Sequence, residues 1–94
     1  MNGFIRLNVL SDYDEDTHTF NKSNVAIINI NAIAAVEDFI GSECLHDDEF
    51  DDSRYIGIRL MFTNTAYVVD KKEHSFEDIV QKITDVQRSN YISY

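Results

Sequence analysis

Residues 54–70, RYIGIRLMFTNTAYVVD, decide how the rest of the chain is read. From Arg54 to Phe62 the side chains alternate: Ile56, Ile58, Leu60 and Phe62 point one way, and Tyr55, Gly57, Arg59 and Met61 the other. A period of two predicts a strand with one face on a core. Thr63, Asn64 and Thr65 make a tight turn, and Ala66 to Asp70 returns as the hairpin partner.

Further strands precede this hairpin. In residues 4–10, FIRLNVL, Ile5, Leu7 and Val9 share one face, with Phe4, Arg6, Asn8 and Leu10 on the other. Residues 25–30, VAIINI, are short and β-branched, which again favours a strand. The intervening 11–24 is polar, acidic and rich in turn formers, and reads as a loop that pairs at most at its ends.

Residues 31–41, NAIAAVEDFIG, allow two readings. One is a helix capped by Asn31, with Ile33, Val36 and Ile40 on one face and Gly41 just past its end. The other is a strand over about 34–40. A second acidic loop, GSECLHDDEFDDS, follows at 41–53.

After the hairpin, Ser75 and Asp78 form an S-x-x-D helix start, in which the Ser hydroxyl accepts a backbone N–H of the first turn. Glu77 and Asp78 suit the positive end of the helix dipole. Phe76, Ile79, Val80, Ile83 and Val86 make an apolar stripe on a helix that runs to about Ser89. A short tail, Asn90 to Tyr94, carries two tyrosines. The predicted architecture is α+β in a single domain, 1–94: an antiparallel β-meander of four or five strands with one C-terminal amphipathic helix packed on one face.

Composition narrows the function. The 94 residues fit one domain, and 17 acidic against 8 basic residues leave a net charge of −9. That charge repels phosphate backbones and anionic membranes and favours a protein partner, a basic one above all. Cys44 is the only cysteine, so no internal disulfide is available. No signal-peptide pattern and no membrane-length apolar run is legible, which makes the cytoplasm the expected compartment.

The order of elements resembles the flagellar FlbD / swarming-motility protein family. The matching residues are Ile5-Arg6-Leu7-Asn8, Asn31-Ala32-Ile33 with Val36-Glu37, Ile58 to Thr63, Tyr67-Val68-Val69, and Ser75 to Ile83. The chain departs from that pattern at its hairpin turn, where Asn64-Thr65 replaces Asn-Gly, and in the acidic loops 12–16 and 43–52, which look like insertions. The resemblance implies a small accessory or regulatory protein with no catalytic residues to carry over. It also implies a strand over residues 34–40.

Residue chemistry points the same way. Asp12, Asp14 and Asp16 alternate like the first ligands of a calcium loop, but Thr17 and Ser23 stand where the loop needs Gly and Glu. Cys44 and His46 lack the paired spacing of a zinc site. They also lack a third orienting group for nucleophilic catalysis. No phosphate-binding or hydrolase motif is present. No enzyme activity, cofactor or metal is expected.

Two surfaces are candidates for binding. Ten of the acidic residues sit in two loops, and Glu43, Asp47, Asp48, Glu49, Asp51 and Asp52 form a candidate docking patch. The other is the sheet face away from the helix. A helix of about 14 residues is about 21 Å long and covers one face only. Phe4, Leu10, Tyr55, Met61 and Tyr67 are assigned to the uncovered face, which marks an interface. The expected function is a non-catalytic interaction or regulatory module acting as a homo-oligomer. The alternatives are an acidic nucleic-acid mimic that occupies a basic protein, and a divalent-metal-binding module.

Overall fold

Alternation becomes a five-stranded antiparallel sheet in the computed structural model, which describes residues 3–92. Strands β1 (Phe4–Asp14) and β2 (Thr19–Asn29) form a long hairpin. A single 3₁₀ turn, Ile30–Ala32, leads into β3 (Ile33–Asp38). A short helix α1 (Gly41–Cys44) precedes β4 (Tyr55–Leu60) and β5 (Ala66–Asp70), and helix α2 (Phe76–Ile92) closes the described chain. The sheet order is β2-β1-β5-β4-β3, so β1 joins the first hairpin to the β3–β5 meander. Among the described residues the fold is α+β, with five strands and one long C-terminal helix.

Within the ambiguous 31–41 segment, Ile33–Asp38 form a strand and not a helix. Val36 pairs with Ile58 and Asp38 with Ile56. The Asn29 side chain accepts the Asn31 N–H at 2.9 Å, which caps only the 3₁₀ turn. The first acidic loop is shorter than its composition suggests. Strands continue through residues 11–14 and 19–24, with Ser11 opposite Lys22 and Tyr13 opposite Phe20, and only residues 15–18 turn. Cross-strand pairing overrides weak local propensity here.

The sheet buries both faces, and each has its own cluster. On one side Ile5, Leu7, Val9, Ile28, Ile56, Ile58 and Val69 pack against Ile79, with Phe76, Ile83 and Val86 at the margin. The α2 cap forms as expected: Asp78 N–H donates to Ser75 Oγ at 3.1 Å. His74 pins the start of the helix to β1. Its Nε2 accepts the Asn8 N–H at 3.3 Å while Nδ1 lies 2.9 Å from Asp78 Oδ2, which places the ring proton on Nδ1.

Three residues depart from the faces assigned to them by alternation. Val80 is 52% exposed, because the stripe facing the sheet is narrower than the apolar stripe in sequence. Phe62 is fully exposed, because β4 ends at Leu60 and Phe62 enters the turn with φ 64°. Tyr67 lies against the helix-side cluster instead of facing outward. The side chains of Tyr91 and Tyr94 lie outside the described residues.

Candidate functional site

The face away from α2 is covered at one end and bare at the other. Residues 39–54, which include the second acidic loop, fold back over the covered end. Phe50, Tyr55 and Val68 are buried there, with Leu10, Tyr13, Phe20, Phe39 and Leu45 around them. The aromatic rings meet mainly edge to face: Phe20 to Tyr55 at 5.3 Å and Phe39 to Phe50 at 5.8 Å between centroids. Such pairs add about 0.5–1.5 kcal/mol beyond area burial. Tyr55, assigned to an exposed interface by alternation, does point away from α2, but it is only 2% exposed. Its own subunit seals it, and Leu10 is half-buried in the same cluster.

The acidic loop is held by its own carboxylates. Asp52 accepts both the backbone N–H and the hydroxyl of Ser42. Asp51 accepts from Ser53 N–H at 3.1 Å and from its hydroxyl at 2.6 Å. These bonds, and above all the Ser53 hydroxyl, hold the Asp51 carboxyl below its ordinary range. Asp47 is the keystone. Its Oδ2 accepts the Tyr13 hydroxyl and lies 2.6 Å from His18 Nδ1, while Glu49 Oε2 lies 2.7 Å from His18 Nε2. An imidazolium donates to both carboxylates at once, so the pair favours the charged ring. The Asp47 hydrogen bond, opposed by desolvation, raises the His18 pKa. The same bond lowers Asp47. Burial, with the Asp47 bond second, pushes Tyr13 up to about 12.

Four of the six candidate docking carboxylates, Asp47, Glu49, Asp51 and Asp52, therefore bond within the loop or to the hairpin tip. Glu43 and Asp48 are exposed. In the first loop, Asp14 accepts the Asp16 N–H at 2.8 Å, and that bond lowers its pKa. Asp12 is exposed with φ 59°. Cys44 is exposed, and His46 is exposed with φ 53°. Among the described residues no cluster of His, Cys, Asp or Glu is arranged to hold a metal ion, and no helix is long and apolar enough to cross a membrane.

A groove of about 380 Å³ lies beside the aromatic cluster, with Phe20, Phe39, Leu45 and Val68 among its lining residues. Its rim carries the Glu37–Arg59 ion pair at 3.2 Å. Gly57 keeps that floor low, since Phe39 lies against the space above it at 3.6 Å.

The bare end is the outer face of the β1–β2 hairpin. Pairing of Phe4 with Asn29, Arg6 with Ile27 and Asn8 with Val25 puts these six on one face. Phe4 is 54% exposed, Val25 50% and Ile27 61%. Phe4 thus lies on the open face expected for it, and Met61 is exposed in the β4–β5 turn, where its N–H donates to the Ala32 carbonyl at 2.8 Å. Val25 and Ile27 are absent from the sequence-derived set. The signal was present in VAIINI, whose alternation separates Val25, Ile27 and Asn29 from Ala26, Ile28 and Ile30. No family model matches the chain, and neither the curated proteins nor the solved structures include a match to it.

Proposed function

We propose that the chain is a non-catalytic protein-interaction module, regulatory in role and active as a homo-oligomer, which binds through the outer face of the β1–β2 hairpin. One observation carries this reading. Phe4, Val25 and Ile27 stand uncovered together, in a region where residues 4–11 and 19–36 contain no carboxylate and Arg6 and Lys22 supply the charge. Exposed apolar side chains grouped on one face favour an interface. A local reversal of sign within a chain of net charge −9 gives that interface its selectivity.

The non-catalytic part rests on how the polar groups are used. Tyr13, His18, Asp47 and Glu49 satisfy one another across a loop contact, beside the hairpin tip. The likeness to flagellar accessory proteins and a cytoplasmic setting are parts of the same proposal. The lone thiol Cys44 suits a reducing compartment.

The test is affinity capture from the native cell with three baits: the unmodified chain, Ile27→Lys, and Gln81→Lys on the exposed side of α2. The reading expects a set of proteins retained by the first and third baits and lost from the second. Equal capture by all three removes the hairpin face as the binding surface.

A further inference from the structure

The sheet has two edges, and they are built differently. β3 is six residues long, its register shifts between Ile33 and Ala35, and it ends on Glu37 and Asp38. A short, irregular, charged edge resists the addition of another strand. β2 is eleven residues long and keeps one register against β1 along its whole length. It holds no Pro and no acidic residue, and Lys22 is its only charge. No other strand flanks it among the described residues. Alternate residues of such a strand turn N–H and C=O outward, a row of groups ready to pair.

We propose that β2 is a strand-addition edge and that the strand it accepts is β2 of a second copy of this chain. This rests on the interaction reading above and names its partner. Charge limits where a second copy can approach. Two copies of net charge −9 repel wherever their loops or the start of α2 approach each other, because those surfaces carry the carboxylates. The β2 edge brings no carboxylate of 19–36 against another.

The side chains are also self-complementary. Antiparallel pairing about a twofold axis at Ala26 sets Val25 of one copy beside Ile27 of the other, twice, on the face where both are exposed. Branched apolar pairs of this kind stabilise neighbouring strands. Phe4 then extends the strip on each side, since it shares that face. The result is one continuous sheet across two subunits. An extended acidic segment of a foreign protein, attracted by Arg6 and Lys22, is the competing occupant.

Light scattering and sedimentation of the full chain from micromolar to millimolar concentration read the association directly. The expected mass is twice the 10.9 kDa of one chain. Val25→Lys and Ile27→Lys should halve it while leaving the circular dichroism spectrum unchanged; Val80→Lys should leave the mass alone. A second measurement fixes the register. Ala26→Cys in a Cys44→Ser background should form an intersubunit disulfide on mild oxidation, because a twofold at this position brings the two Cα atoms within about 5.5 Å.

A monomer at every concentration overturns self-pairing, as does a dimer indifferent to Val25→Lys and Ile27→Lys. If the chain is a monomer but native-cell capture still fails selectively with Ile27→Lys, self-pairing and the homo-oligomer part of the reading fall, and the hairpin face keeps its role in binding a foreign protein. If the chain is a monomer and capture shows no selective loss, both fall.

Discussion

A Cβ added to Gly41 would lie 2.4 Å from the Phe50 ring, inside any permitted contact. The ring occupies the space that glycine leaves. That single approach lets residues 39–54 close over the second face of the sheet. Gly41→Ala should therefore push Phe50 out of place and cost about 1–3 kcal/mol, the usual range for overpacking. Phe50→Ala should cost about 3–5 kcal/mol through the cavity left beside Tyr55. Urea denaturation gives both values, and tyrosine fluorescence reports exposure of Tyr55. An unchanged midpoint in both variants would mean that the loop does not hold the cluster.

The latch between the hairpin tip and the acidic loop has a defined pH window. His18 binds its proton more tightly when folded, so its contribution is complete below 6.5 and is lost as pH rises through the raised folded value. Asp47 runs the other way: its contribution is complete above 3.8 and is lost as pH falls through the lowered folded value. Docking of the tip should be firmest in the mildly acid range between them. NMR titration should place His18 above 6.5, and Asp47→Asn should bring it back toward that ordinary value. A His18 titration unaffected by Asp47→Asn would contradict the assignment.

Two neighbours on α2 should behave oppositely. Ile79 is fully buried against the sheet, and Ile79→Ala should cost about 2–5 kcal/mol. Val80 faces solvent, and Val80→Lys should change stability by no more than about 0.5 kcal/mol. Equal losses at both positions would mean that the helix sits in a different rotation on the sheet.

Phe62 holds φ 64° with its ring in solvent. Asn adopts that conformation more readily, because its short side chain bonds locally. Phe62→Asn should stabilise the chain by something on the order of 1 kcal/mol, measured by thermal or urea unfolding. A loss of stability would show that the ring has a structural role.

The clearest strands were legible because one physical rule controls them. Residues 66–70 form β5 as alternation and turn signals place it, and Ser75 starts α2 through the bond its position implies. The candidate site was less legible. Alternation puts Tyr55 on the face away from α2, yet nothing local indicates that Phe50, embedded among carboxylates, returns to bury it. Composition reads the six carboxylates of this loop as one docking patch, although Asp47, Asp51 and Asp52 serve as acceptors that shape the loop. Exposure of Val25 and Ile27 depends on which distant segments pack over that sheet face, and residues 39–54 cover only its other end.

By itself the amino-acid order determined the α+β class, the hairpin within 54–70, the capped helix and the acidic surface, because periodicity, capping and charge act over a few residues. Only the tertiary structure decided which apolar residues stay outside. Burial belongs to the packing of distant segments: the fold of 39–54 over Tyr55 covers one end of the sheet face, while Phe4, Val25 and Ile27 at the other end stay exposed.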